Sequence, residues 1–351
     1  MGYEQDVKRV NLKNPYYLKK WENLLQKVDI QVSTEVSIDD ITCVGVFEAD
    51  QLIATGSFQE NILKYIAVDP TYHDGKLFNL IISTLISTLA QQQIFHIFVF
   101  TKPIYQMSFE FVGFKTLVKT DVGVLLETGD TAITDYLATI PRIANQKNCK
   151  ISAIVMNANP FTLGHRYLVE EASKSSDLVY IFVVKQDVSL FKTTERFHLV
   201  QVGVSDLSNV RVVSGDEYMV SYATFPTYFI PDKTNIIRYQ TEMDATLFKQ
   251  KIAKPLHIKT RYLGEEPFSK TTEVYNETLK RILPPEVQVE IIPRLKINTQ
   301  IISATKVRKA IQQNQIETIK DFLPNSTYNY IRDHLKILQN SIKEGMNIDG
   351  N

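Results

Sequence analysis

Two short stretches of this chain carry residue types suited to gripping phosphate. One is Asn157-Ala-Asn-Pro-Phe-Thr-Leu-Gly-His165 and the other is Ile302-Ser-Ala-Thr-Lys-Val-Arg308. Each opens a run whose apolar residues recur at helical spacing, so each reads as a loop into a helix N-terminus. The unpaired N–H groups and aligned peptide dipoles at such an end attract an anion. In the first stretch Gly164 lets the chain turn tightly into the helix, and His165 follows in the first turn. A neutral or protonated imidazole there can donate to an α-phosphate oxygen as charge shifts in a transition state. Thr162 can donate its hydroxyl to a neighbouring phosphate. An ordinary strand–helix turn, with Asn159-Pro160 in the turn and Thr162 as N-cap, would use the same residues. The position directly after the apolar Ile151–Met156 favours the phosphate reading. In the second stretch Ser303 stands where an N-cap would. Ser303 and Thr305 with the free N–H groups make a second anion site, and Lys306 and Arg308 add charge. A capped surface helix is the competing reading, but two such helix starts in one domain outweigh it.

The elements that must hold these loops are legible from Lys150 onward. Ile151–Met156, Leu178–Val184, Val210–Val213, Ile258–Leu263 and Val287–Ile291 read as strands. Gly164–Lys174, Glu195–Val204, Glu242–Lys251 and Lys270–Arg281 read as the helices between them. Helices near Ala304–Gln313, Ile316–Phe322 and Ser326–Leu338 close the chain. Such alternation predicts an α/β fold, a doubly wound, Rossmann-like parallel sheet with ligands at the carboxyl ends of its strands. Lys185, just past the second strand, is then placed to contact an α-phosphate or a carboxylate, or to be a solvated loop lysine. Arg196 is read as structural or as an exposed phosphate contact.

The earlier part reads as α+β. Thr42–Phe47 and Gln51–Phe58 form a hairpin across Glu48-Ala-Asp50, followed by strands at Ile62–Val68, Ile94–Phe100 and Val122–Leu126. Helices are expected over Leu77–Gln91 and Tyr105–Phe111, and one amphipathic connecting helix between Gly129 and Asn148. The expected organisation is 1–128, a connection at 129–149, and 150–351.

Composition narrows the class. The 351 residues carry 39 basic and 39 acidic side chains, which argues against broad adhesion to nucleic acid or membrane. At 44% apolar residues the chain can fill two cores. Cys43 and Cys149 stand far apart without metal-ligand spacing, so neither a zinc site nor a disulfide framework is expected. With no signal-like start and no bilayer-length apolar run, a reducing cytoplasm is the expected compartment.

TxGH followed by ISxTxxR resembles the nucleotidyltransferase superfamily, whose members bind ATP between these motifs. The resemblance implies that Thr162 and His165 serve the β- and α-phosphates, that Ser303 and Thr305 hold the β/γ end, and that Arg308 helps to fix it. Asn157, Asn159, Pro160 and Phe161 fall within the same ATP-binding loop. Met156 stands where many members have glycine. Three blocks, Asn157–Leu168, Ala223-Thr-Phe-Pro-Thr-Tyr-Phe-Ile230 and Gly264-Glu-Glu-Pro-Phe268, are similar to the citrate (pro-3S)-lyase ligases along nearly all of residues 150–335. That family implies acetate, ATP and Mg2+ as reactants. The implied acceptor is the phosphoribosyl-dephospho-coenzyme A thiol on the citrate lyase acyl carrier subunit, with AMP and pyrophosphate released. Gly264 would allow close approach of adenine. Glu265 and Glu266 would bind ribose or be solvated, while Tyr222, Phe225 and Tyr228 wall the acetate pocket or, preferably, fill a core. The competing enzyme reading is an adenylyltransferase that leaves AMP in its product; a relic docking module is a third.

Residues 42–126 resemble the GNAT acetyltransferase fold. In the stretch His73-Asp-Gly-Lys-Leu-Phe78, Lys76 and Phe78 replace the two small residues of that fold's pyrophosphate loop, and Gly75 is displaced by one. A bulky Phe78 would obstruct backbone contact with pyrophosphate, which argues against an active acetyltransferase. His73 and Lys76 could still touch the carrier's coenzyme A-like arm, but a structural or docking domain is the expected role.

Overall fold

The computed structural model describes residues 6–32, 37–73, 75–185, 189–219, 236–265, 270–297 and 300–349. The block Ala223–Ile230, residues 266–268 of the Gly264–Phe268 block, and Tyr222, Phe225 and Tyr228 lie outside them. Two compact units divide the chain, the main division falling after Tyr136.

The first unit contains β1 (Val7–Val10), α1 (Pro15–Lys27), β2 (Thr42–Glu48), β3 (Gln51–Gln59), β4 (Ile62–Val68), α2 (Lys76–Gln91), β5 (Ile97–Thr101), α3 (Gln106–Phe111), β6 (Lys115–Lys119) and β7 (Val124–Thr128). They form a sheet in the order β1-β2-β3-β4-β5-β7-β6. The expected β2–β3 hairpin is present. Ala49 and Asp50 both take positive φ, 43° and 70°, as a two-residue turn of the required twist demands. The sheet's one parallel contact is β4–β5, paired at Ile62↔Phe98 and Leu63↔Val99. Beyond that pairing β4 carries a register shift against β3, with Tyr65 at φ 53°. A cavity of about 340 Å³ lies there, lined among others by Ile66, Val99, Lys102, His73, Gly75 and Phe78. Of the residues singled out in that stretch, His73, Gly75 and Phe78 thus belong to the cavity wall.

The amphipathic helix expected between Gly129 and Asn148 is much shorter. Helix α4 covers Ile133–Thr139, and after Pro141 only a single 3-10 turn forms at Gln146–Asn148. Pro141 lacks the N–H that a continuing helix needs.

The second unit contains β8 (Ile151–Met156), α5 (Leu163–Lys174), β9 (Leu178–Val183), α6 (Thr193–Gly203), β10 (Val210–Ser214), α7 (Ile236–Leu247) from Gln240 onward, α8 (Lys254–Leu256), β11 (Ile258–Gly264), α9 (Lys270–Ile282), β12 (Gln288–Ile292), β13 (Lys296–Ile297), β14 (Gln300–Ile301), α10 (Ala304–Gln312) and α11 (Asn325–Lys343). A six-residue π-helical segment, Phe248–Ala253, joins α7 to α8. The expected helix at Ile316–Phe322 is a 3-10 helix. The main sheet runs β10-β9-β8-β11-β12, and all four of its pairings are parallel. This is the doubly wound α/β architecture read from the alternation. Strand β9 is buried along its whole length, as a strand covered on both faces must be. Ile154, Val169, Ile181, Leu199, Val307, Ile311 and Ile331 share one core, so α5, α6, α10 and α11 pack on a common face of the sheet.

Winding proceeds from β8 to β9 and β10, and then returns to β11 on the other flank of β8. The order therefore reverses between β8 and β11, and the carboxyl ends of strands at such a reversal are where sheets of this kind hold ligands. The register Ala153↔Arg261 brings Met156 and Gly264 to the same level. Loop Asn157–Thr162 leaves from that point.

Candidate active site

Thr162 takes the N-cap of α5 and forms a reciprocal capping box with His165. The Thr162 N–H donates to His165 Nδ1 at 3.0 Å, and Thr162 Oγ1 accepts from the His165 N–H at 3.4 Å. Because a backbone N–H can only donate, Nδ1 is the acceptor and the neutral ring carries its proton on Nε2. Phe161 stacks on the imidazole, with ring centroids 5.8 Å apart and planes 15° from parallel. Burial, then the charges of Arg294 and Arg308, depress the imidazole pKa to about 4. At neutral pH the site thus presents a neutral, oriented N–H donor.

Gly164 has a different role from the tight turn expected of it. Its φ is not in the left-handed region, and an added Cβ would meet Thr162 Oγ1 at 3.5 Å and Ile302 Cβ at 3.6 Å, ordinary contacts. Neither backbone conformation nor packing requires glycine there. What its missing side chain does is leave the first turn of α5 uncovered. Ile302, beside it, belongs to the second motif, so the two helix starts are neighbours.

Ser303 occupies the N-cap of α10, as expected, but its hydroxyl makes no cap hydrogen bond. Thr305 Oγ1 accepts from Arg308 Nη2 at 3.0 Å. Arg308 itself is only 2% exposed. It donates Nη1 to the Asn159 carbonyl at 2.5 Å and Nε to the Ile348 carbonyl at 2.9 Å. Burial lowers its pKa to about 10, against an opposing pull from Asp349. Arg308 therefore fastens one motif to the other.

Arg196 is fully buried and serves the first loop in the same way. It donates to the carbonyls of Asn157 (2.9 Å), Val184 (2.8 Å) and Phe191 (3.0 Å), pinning the ends of β8 and β9. Asn159 and Pro160 are buried too; Asn159 Oδ1 accepts from the Phe191 N–H at 3.2 Å. Phe161 is fully buried against Gly203, where a Cβ would come within 2.5 Å of its ring. These residues shape the loop from beneath. Asn157, half-buried, bonds Ser189 Oγ at 3.1 Å.

Lys185 is half-exposed and pairs with Glu217 at 2.6 Å and Asp216 at 3.6 Å. Partial burial works to lower its pKa, but the two carboxylates prevail and hold it above the usual lysine value. Gly264, at the end of β11, is exposed with open space around its Cα.

Arg294 was not singled out by sequence reasoning. It follows β12 and donates Nε to the Glu265 carbonyl at 2.8 Å and Nη1 to the Ile302 carbonyl at 3.2 Å. The signal that could have found it is the period-two pattern of Leu295–Ile302, a hairpin folding back to Ser303. Among the described residues no group of three or more His, Cys, Asp or Glu could hold a metal ion. No helix among the described residues is long and apolar enough to cross a membrane.

Residues 151–331 match the family described as citrate lyase ligase C-terminal domain. A citrate (pro-3S)-lyase ligase of Escherichia coli (strain K12) is 34% identical, covering 89% of this chain and 89% of that protein. One from Haemophilus influenzae is 35% identical, covering 82% and 88%. Among solved structures, a Vibrio parahaemolyticus protein assigned as a nicotinate-nucleotide adenylyltransferase matches 54% of this chain and 95% of its own, at 18% identity and TM-score 0.31. With its C-terminal half matching the family and its homologues covering most of its length, the chain belongs to the citrate lyase ligases, a family of enzymes.

Proposed function

We propose that this chain activates citrate lyase by acetylating the thiol prosthetic group of its acyl carrier subunit, by way of acetyl-AMP. An acetate oxygen forms a bond to the α-phosphorus of ATP as the bond to the β-phosphate bridging oxygen breaks and pyrophosphate leaves. The carrier thiol, losing its proton, then attacks the acetyl carbon; the carbon–oxygen bond to AMP breaks and AMP departs. Magnesium bound to the triphosphate would neutralise the leaving group.

The observation that carries this reading is the pair of adjoining helix starts at the β8–β11 reversal, one holding a neutral, oriented His165. His165 Nε2–H is suited to an α-phosphate oxygen, and Ser303 with Thr305 to the β/γ end. Thr162 orients His165, Gly164 leaves room for phosphate, and Asn159, Pro160, Phe161 and Arg308 fix the loop. Asn157 and Gly264 border the nucleotide, and Lys185 guides acetate or the α-phosphate from β9. Residues 150–351 are the adenylating domain, 129–149 the connection, and 1–128 a GNAT-like domain for structure or docking.

Acetate-dependent exchange of labelled pyrophosphate into ATP tests the first step. Exchange only with acetate present is expected; its absence in protein that binds ATP would sink the reading. An adenylyltransferase would instead retain AMP in its final product.

A further inference from the structure

We propose that the outward face of α3, in the first unit, is the docking surface for the citrate lyase acyl carrier subunit, a role resting on the acetylating reading above. Helix α3 and the 3-10 turn before it, Pro103–Tyr105, are held to their unit by one aromatic anchor. Phe109 is buried, and its ring meets those of Phe78 and Phe114 edge-on, with centroids 5.1 and 5.5 Å apart. A short helix with one buried side is ordinarily polar on the other. Here Ile104, Met107 and Phe111, spaced i, i+3, i+7, lie on the side away from Phe109 and are 76%, 72% and 82% exposed. Tyr105, also exposed, stands beside them. Four of the nine exposed large apolar side chains among the described residues thus fall within eight residues of chain. Such side chains scattered singly need no explanation, whereas a cluster marks an interaction surface. Methionine and aromatic residues are also the types that interface cores favour.

The rim of this stripe points to the kind of partner. Lys102 leads into it, and β6, which contacts α3, carries Lys115 and Lys119 exposed at its two ends. Among the described residues none of the three lysines forms an ion pair. The charge of Lys119 reaches Glu110 of α3, whose carboxylate already accepts from Gln106 Nε2 at 3.0 Å and Thr116 Oγ1 at 2.7 Å. Asp121 follows two residues past Lys119. An apolar stripe edged by unpaired lysines suits a protein that brings anionic groups close to its contact surface. The acyl carrier subunit is such a partner, because its phosphoribosyl-dephospho-coenzyme A arm bears phosphates. A second copy of this chain suits the stripe less well. A two-fold contact sets the same patch against itself, so lysines would meet lysines.

The double substitution Met107→Glu with Phe111→Glu in the full chain tests this. Both side chains face solvent, so the denaturation midpoint should hold. Acetate-dependent pyrophosphate exchange needs no carrier and should keep its wild-type rate. The KM for thiol-form citrate lyase should rise on the order of thirtyfold. Lys102→Glu with Lys119→Glu should weaken binding of the carrier subunit with its arm more than without it, and reduce the salt dependence of binding. A wild-type KM for the lyase in the Met107/Phe111 variant would overturn the inference. So would a fall in exchange as large as the fall in lyase acetylation, since the stripe would then serve the adenylating step or the fold. A wild-type dimer in sedimentation that the two glutamates split would assign the stripe to a second copy and overturn it as well. If the wild type shows no exchange, the ligase reading fails. Titration of the arm-bearing carrier subunit into wild type and variant then still decides for or against the stripe.

Discussion

The two helix starts at the β8–β11 reversal differ in what their side chains already do. At α5 the Thr162 hydroxyl and N–H are both engaged with His165, and Phe161 backs the ring. At α10 Ser303 caps by position alone. A site that stabilises charge on a fixed phosphorus needs donors set before the ligand arrives. The α5 start has donors set in this way, whereas at the α10 start the Ser303 hydroxyl makes no cap hydrogen bond and Thr305 Oγ1 is held by Arg308 of the same helix. Arg308, through the Asn159 carbonyl, keeps them in register.

The largest effect should come from breaking the rigid side. His165→Ala is expected to lower acetate-dependent exchange by about a hundred- to a thousandfold. Stability should fall by about 1 kcal/mol, because half of the capping box goes with the ring. Stopped-flow or exchange rates with a parallel denaturation curve check both; near-wild-type exchange would remove His165 from the chemistry.

Much of this contrast was legible in the sequence, and the rest was not for identifiable reasons. The alternation of apolar strands and helices fixed the parallel sheet, and TxGH at a strand end fixed one helix start. The direction of Arg308 was hidden, since charge at a motif reads the same whether it meets ligand or the Asn159 carbonyl. Arg294 was hidden because the period-two pattern that follows it ends in strands of only two residues each, β13 and β14, a weak signal beside the longer strands. Strands β1 and β6 escaped for a similar reason: both are short, and their buried residues do not alternate cleanly with exposed ones. The connecting helix is shorter than its apolar pattern, which runs on past Leu137, because Pro141 cannot continue it.

Gly164→Ala separates ligand from fold at the α5 start. A Cβ there meets only ordinary contacts, and alanine favours a helix over glycine by about 1 kcal/mol. Melting should be unchanged or slightly raised, while exchange falls about tenfold or more if phosphate passes over that turn. An unimpaired Ala variant would place the phosphate elsewhere.

Thr162→Ala and Ser303→Ala form the direct comparison. Losing the Thr162 cap should cost about 1 kcal/mol of stability. Ser303→Ala should leave the denaturation midpoint where it is, since no cap hydrogen bond is lost, yet raise the KM for ATP about tenfold. The reverse pattern, a stability loss at Ser303 with unchanged KM, would mean that α10 is merely a capped helix.

A separate, titratable effect is the pH signature of His165. Its imidazole titrates near 4 when folded, against 6.5 when free, chiefly because burial disfavours the charged ring. Between those values the unfolded chain binds a proton that the native protein does not, so unfolding becomes easier as pH falls. The stabilisation is complete above 6.5 and is lost progressively on the way down to about 4. One proton limits the slope to about 1.4 kcal/mol per pH unit. Denaturation midpoints at pH 7.5 and 5.0 should therefore diverge more in the wild type than in His165→Gln, whose amide does not titrate. Because Arg294 supplies the next-largest push on the ring, Arg294→Gln should fall between the two, tying the pH signature of α5 to the loop that leads into α10.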